Sequence, residues 1–142
     1  MATTGYSGKP VAQKLGIKPG TTIRTRNAPD AYRRMLGPLP ADVVFSDRAR
    51  SPVDVVHLFV TSRKDLERQL RTSRKEIRQE GAIWVSWPKK SSGVATDVTE
   101  DVIREVALPL GLVDIKVCAI DEVWSGLKLV IRRENRRGGG RP

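Results

Sequence analysis

The chain has 142 residues, 39 % of them apolar, which is enough for one hydrophobic core in one domain. It carries 26 Lys and Arg against 16 Asp and Glu, a formal charge of +10, with one Cys and one His. These counts exclude a disulfide framework, which needs a second cysteine, and a closed structural zinc site, which usually takes about four Cys or His ligands. No apolar run approaches the roughly 18 residues of a membrane-spanning helix. Residues 1–8 lack the apolar stretch of a signal peptide, so the expectation is a cytoplasmic protein without membrane association.

The charge is uneven. Residues 1–29 hold five basic side chains and no acid, 63–80 hold seven basic against four acidic, and 132–142 hold five Arg against one Glu. Residues 81–131 carry a net −2. A nucleic-acid face interleaves its cations with aromatic or polar base-reading side chains. The basic C-terminal segment would meet phosphates through Arg132, Arg133, Arg136 and Arg137, but it has no aromatic residue. Residues 1–133 are expected to form one α/β domain and 134–142 a disordered basic tail.

In chain order, Val11 and Leu15 are one helical turn apart, which predicts a short helix over 10–15 ended by Gly16. Lys18-Pro19-Gly20 is a turn, and 21–26 is β-prone until Asn27-Ala28-Pro29 stops it. A second short helix is predicted over 30–36, closed by Gly37-Pro38, and a short strand over 43–45. Residues 53–60, Val-Asp-Val-Val-His-Leu-Phe-Val, are apolar on both faces, as in strands covered on both sides. Ser62 then caps a helix, with Asp65 spaced to reach back to the cap amide. Leu66, Leu70 and Ile77 give its buried stripe and Glu80-Gly81 its end. Residues 82–87 form another apolar strand, stopped by Pro88, with Lys89-Lys90-Ser91-Ser92-Gly93 as a loop. Asp97 with Glu100 signals the next cap, and Val102, Ile103, Val106, Ala107 and Leu110 share one helical face. Two final strands, 113–120 and 127–132, are joined by a hairpin connection over 121–126.

Strands alternating with helices argue for a three-layer α/β fold with a mostly parallel sheet of about six strands and a C-terminal antiparallel hairpin. The strand order is expected to be 2-1-3-4-6-5. That is the Rossmann-like topology of class I methyltransferases, less a strand and a helix in the first half. An unpaired sheet edge makes a homodimer the general expectation. Arg24 and Arg26 disagree with a central first strand, because two arginines on one face of such a strand are rarely buried. Three accounts stay open: an uncovered face, arginines reaching the rim, or a ligand or partner over them.

In an open α/β sheet, ligands bind beyond the carboxyl ends of the strands. The candidates gathered there are Asn27, Tyr32, Trp87, Lys89, Lys90, Asp121 and Trp124. Lys89 and Lys90 beside a Ser-Ser-Gly loop could hold an anion, helped by amides near Asp97. A nucleotide or S-adenosylmethionine site needs glycines in the first turn, where the backbone approaches the ligand. Here that turn, 26–30, has no glycine, Pro29 removes a donor, and Asp30 puts a negative charge where a phosphate would sit. Asp47, after the second strand, could hold ribose hydroxyls but is a weak signal alone. No cofactor and no metal are expected. His57 shares a strand face with Val53, Val55 and Phe59, which predicts a buried histidine. Cys118, beside Lys116 and Ile120, reads as a small hydrophobe. No catalytic residue is assigned.

Several segments together resemble a small bacterial family of unknown function: Gly5-Tyr6-Ser7-Gly8-Lys9-Pro10, Lys14-Leu15-Gly16-Ile17-Lys18-Pro19-Gly20, Asn27-Ala28-Pro29-Asp30-Ala31-Tyr32, His57-Leu58-Phe59-Val60, Trp84-Val85-Ser86-Trp87-Pro88-Lys89-Lys90 and Trp124-Ser125-Gly126-Leu127-Lys128. The resemblance covers roughly residues 5–133. It implies a methyltransferase-like sheet without the cofactor loop, and no activity. Arg24 and Arg26 depart from it, since apolar residues are expected there. The expectation is a non-enzymatic module binding a small anion or a protein partner. The alternatives are a divergent S-adenosylmethionine-dependent methyltransferase and a nucleic-acid-binding accessory protein using the basic helix and tail.

Overall fold

Successive side chains of a strand face opposite ways, so an unbroken apolar strand needs cover on both faces. The computed structural model describes residues 9–46 and 52–136, and it supplies that cover. In chain order the elements are α1 (Val11–Lys14), β1 (Thr22–Arg26), α2 (Tyr32–Leu36), β2 (Val44–Phe45), β3 (Val53–Phe59), α3 (Arg63–Glu76), β4 (Ile77–Pro88), α4 (Glu100–Ala107), β5 (Leu112–Ala119) and β6 (Trp124–Ile131). The six strands form one sheet in the order β2-β1-β3-β4-β6-β5, as expected from the alternation. Strands β2, β1, β3 and β4 are parallel, and the β5–β6 hairpin joins antiparallel through β6.

Two apolar layers follow from the alternation. On one face, Val56, Leu58, Ile83, Val85, Leu127 and Leu129 pack against Leu66 and Leu70 of α3 and Ile103 and Val106 of α4. On the other, Ile23, Val55, Phe59 and Trp84 pack against Leu15 of the α1–β1 loop and Tyr32 and Leu36 of α2. Leu66, Leu70 and Ile103 are wholly buried, each stabilising the fold by roughly 1.5–3 kcal/mol through burial.

The structure corrects several boundaries. Helix α3 ends at Glu76, not at Glu80-Gly81, and Ile77 is already extended and paired with Val53 at the start of β4. Ile77 has the spacing of the helical stripe, but a β-branched side chain suits the strand equally. Gly81 is a close approach rather than a helix stop: a Cβ there would lie 2.7 Å from the Asp54 carbonyl oxygen. The cap of α4 is Thr99, whose hydroxyl accepts from the Val102 amide, not Asp97. Asp97 instead accepts from the Arg63 amide at 2.7 Å, filling an orphan donor in the first turn of α3. The α3 cap is one-sided as well. Ser62 Oγ accepts from the Asp65 amide at 3.1 Å, while the Asp65 carboxylate is taken up by Arg68, Gln69 and Asn27. Trp124, Ser125 and Gly126 belong to β6, not to the turn. Gly126 permits this, since a Cβ would lie 2.9 Å from Ile120 Cδ1. At the start of the basic C-terminal segment, Arg133–Asn135 form a 3-10 turn.

Candidate functional site

The carboxyl ends of β1, β3 and β4 and the entry to β6 meet at one rim of the sheet. The turn after β1 decides what that rim can admit. Asn27 has φ 62°, a left-handed conformation that asparagine tolerates better than most residues. Its side-chain amide donates to Phe59 O at 3.4 Å and to Asp65 Oδ2 at 3.3 Å. The turn is thereby tied to the end of β3 and the first turn of α3. In a sheet that opens a crevice between these elements, a ligand would need that space.

Behind the turn the rim is sealed by rings. Phe59 stacks on His57 with centroids 4.4 Å apart, and meets Tyr32 and Trp124 edge-on at 5.7 and 5.0 Å. Tyr32 also meets Phe45 edge-on at 6.5 Å, and Arg33 lies over Phe45 at 3.6 Å. Edge-to-face pairs of this kind add roughly 0.5–1.5 kcal/mol each beyond burial.

Inside this seal runs a polar chain that sequence inspection did not connect. Tyr32 Oη lies 2.9 Å from His57 Nδ1, and His57 Nε2 lies 2.7 Å from Ser86 Oγ. A neutral imidazole can accept from one hydroxyl and donate to the other, so every member is satisfied. Ser–His contact at this distance is the geometry of an activated nucleophile. Two facts deny it that role. His57 and Ser86 are 0 % exposed and Tyr32 is 6 % exposed, so no substrate reaches the hydroxyl. Burial also lowers the His57 pKa to about 3, leaving a weak base at neutral pH. Burial pushes the Tyr32 hydroxyl above the ordinary tyrosine range. The legible signal for this chain was parity: His57 and Ser86 are the polar residues at inward positions of adjacent strands.

The candidate residues divide accordingly. Asn27 and Lys90 are exposed, and Lys89 and Trp124 are half-buried. Phe59 links Asn27 to Trp124, and the Lys89 amide donates to Val123 O at 2.7 Å, placing it beside the hairpin turn. Tyr32 is buried in the ring cluster. Trp87, 9 % exposed, packs on the opposite face in the α3–α4 core, apart from Trp124. Asp121 is a turn former: its Oδ1 accepts from the Val123 and Trp124 amides at 2.9 and 2.8 Å. Near Asp97, the Val98 amide is already taken by Thr96 Oγ1. Asp47 and Arg137 lie outside the described residues. Arg132 pairs with Glu134 at 2.7 Å, Arg133 is exposed in the 3-10 turn, and Arg136 Nε donates to Ile131 O. Cys118 is half-buried, and burial raises its thiol above the ordinary range, outweighing the lowering by Lys14 and Lys116. That is a poor setting for a nucleophile.

Arg24 and Arg26 also find their place. Both point to the α3 side of β1 and converge on Glu76, the last residue of α3. Arg24 Nη1 lies 3.4 Å and Arg26 Nη2 2.5 Å from Glu76 Oε1, and Arg24 Nε donates to Ser46 O at 3.0 Å. One intramolecular carboxylate therefore serves two arginines, and Arg24 is only 4 % exposed.

Among curated proteins, none matches the chain. Solved structures do. A TehB-like SAM-dependent methyltransferase from Corynebacterium glutamicum aligns with TM-score 0.55 at 11 % identity, over 92 % of this chain and 90 % of that one. A precorrin-6y C5,15-methyltransferase from Geobacter metallireducens aligns at 0.54 and 10 %, over 85 % of each chain. Fibrillarin from Aeropyrum pernix, in complex with natively bound S-adenosyl-L-methionine, aligns at 0.53 and 16 %, over 84 % and 73 %. At such identities the likeness shows the fold alone, a Rossmann-like, methyltransferase-like α/β sheet. The family described as "Protein of unknown function (DUF3052)" matches residues 12–133, so that the motif at 5–10 lies ahead of the match. With most of its length matched, the chain belongs to the DUF3052 family of proteins of unknown function.

Proposed function

We propose that this protein is a non-enzymatic binding module on a methyltransferase-like scaffold, with its cofactor crevice closed. The observation that carries this reading is the turn after β1. It has no glycine, Asn27 bolts it to β3 and α3, and the Tyr32–Phe59–Trp124 rings fill the space behind it. The hydroxyl–imidazole pair that could serve chemistry is sealed in the core. What the rim offers is a shallow polar surface of Asn27, Lys89, Lys90 and Trp124, suited to an anionic group on a small molecule or on a partner protein.

Thermal-shift measurement against anionic metabolites and nucleotides tests the small-anion form of this reading. A ligand docking at the rim raises the melting temperature of the wild type and does so less for a Lys89→Ala/Lys90→Ala variant that melts normally by itself. A screen without any shift would sink that form and leave protein capture to be tested with the same variant. A second reading, a divergent SAM-dependent methyltransferase, is favoured only by the fold likeness. Calorimetric heat with S-adenosylmethionine would revive it.

A further inference from the structure

A second cluster lies at the opposite, amino-terminal end of the parallel strands, away from the rim. The α1–β1 loop crosses the sheet there, held by Trp84 Nε1 donating to Leu15 O at 3.1 Å. Lys128 of β6 rises from the same face, its Nζ 3.8 Å from where a Cβ on Gly16 would sit. Directly across the hairpin from Lys128 is Lys116, and like charges in directly opposed positions destabilise a strand pair. Lys116 Nζ donates to Lys14 O at 3.3 Å, and Lys14 Nζ to Ala119 O at 3.1 Å, so two further ammonium groups are pinned nearby by backbone carbonyls. Burial, with Lys116 and Lys18 adding to it, holds the Lys128 ammonium below the ordinary lysine range. Among the described residues, neither Lys18 nor Lys128 has a carboxylate within ion-pair distance.

These side chains border a cavity of about 340 Å³ whose walls include Gly16, Lys18, Thr21 and Lys128. Two acids also line it. Both oxygens of Asp54 are engaged: Oδ1 pairs with Arg78 at 3.0 Å and Oδ2 accepts from the Thr22 amide at 2.8 Å. Glu80 is exposed. Thr21 Oγ1 accepts from the Lys18 amide at 3.0 Å, which leaves the hydroxyl proton to donate. The geometry points to a binding site for a small oxyanion of the phosphate class, held between Lys18 and Lys128 with Thr21 as a neutral donor. An anion seated there offsets the repulsion that the Lys116–Lys128 register builds into the hairpin. This site is independent of the rim reading.

The test uses the full chain and inorganic phosphate, titrated calorimetrically at constant ionic strength maintained with chloride, with acetate as the carboxylate comparator. Phosphate is expected to bind saturably and raise the melting temperature. Lys128→Met and Lys18→Met should each weaken binding about tenfold or more, as loss of a charge-assisted contact implies, while Lys64→Ala, at an exposed position of α3 on the other face of the sheet, leaves it unchanged. In phosphate-free buffer Lys128→Met should melt no lower than wild type, because it removes a repulsive charge. Acetate binding as tightly as phosphate would reassign the ligand class to carboxylates and overturn the phosphate assignment. No heat with phosphate up to about 10 mM, equal affinity in Lys128→Met, or a marked loss of melting temperature in that variant without anion would overturn the site itself.

Discussion

Acid should weaken this fold through His57 before it acts on most carboxylates. The imidazole is wholly buried between Tyr32 and Ser86, and its pKa is lowered from 6.5 to about 3. In the unfolded chain it takes up a proton near 6.5, whereas in the folded chain it stays neutral until about 3. The stabilisation is thus fully present above about 6.5 and is lost progressively as pH falls toward 3. At about 1.4 kcal/mol per pK unit the full effect is on the order of 5 kcal/mol. Between pH 7 and 5 it is about 2 kcal/mol, in a range where most carboxylates remain charged. The perturbation is His57→Gln, which retains donor and acceptor atoms but does not titrate. Urea unfolding at pH 7, 6 and 5 reads the outcome. At pH 7 the variant should be less stable, by about 1–3 kcal/mol for imperfect hydrogen bonding at a buried site. By pH 5 that gap should shrink by about 2 kcal/mol, since only the wild type loses stability through this group. A gap constant across the range would refute the argument, and would mean that His57 titrates normally.

Other outcomes follow from the same contacts. Tyr32, with its hydroxyl held protonated by burial, contributes stability that is present below the ordinary tyrosine pKa and is lost as pH rises beyond it. Wild type should therefore melt progressively lower above about pH 10, and Tyr32→Phe should blunt that fall. Glu76→Ala removes the carboxylate that the buried Arg24 shares with Arg26 and should cost about 3–5 kcal/mol by denaturant unfolding; a cost under about 1 kcal/mol would show that solvent already screens the pair. Gly81→Ala drives a Cβ to 2.7 Å from the Asp54 carbonyl oxygen and should cost about 1–3 kcal/mol, whereas a neutral result would mean that β3 and β4 separate freely there.

The fold was legible because its strongest signals are long-range in effect but local in sequence. The apolar runs around Val56 and Val85 require two covered faces, and only alternating helices supply them. Right-handed crossovers then leave few strand orders. The misplaced boundaries have one common cause. Ile77, Asp97 and Trp124 each satisfy a local rule for helix, cap or turn, while a tertiary partner (Val53, the Arg63 amide, Pro88) claims them instead. Arg24 and Arg26 looked like a conflict because Glu76 is fifty residues from Arg26 in sequence. The rim was legible as a set of strand ends, but not which residues it leaves exposed. Trp87 and Tyr32 point into opposite core layers, a matter of register that composition does not reveal. The lysine cluster was missed for the same reason: Lys14, Lys18, Lys116 and Lys128 come together only once the hairpin register is fixed.

The turn after β1 is the point on which the functional reading stands. It is best tested by a nitrogen–proton correlation spectrum of the uniformly labelled full chain during titration with S-adenosylmethionine to millimolar concentration. The Asn27 side-chain amide and the Trp124 indole are reporters at the two sides of the sealed rim. With the turn bolted and the rings packed, both signals should stay in place. Saturable shifts of Asn27 and Trp124 accompanied by the backbone amides of the buried His57 and Phe59 would show that the crevice opens to the cofactor, and would contradict the reading of this protein as a non-enzymatic binding module.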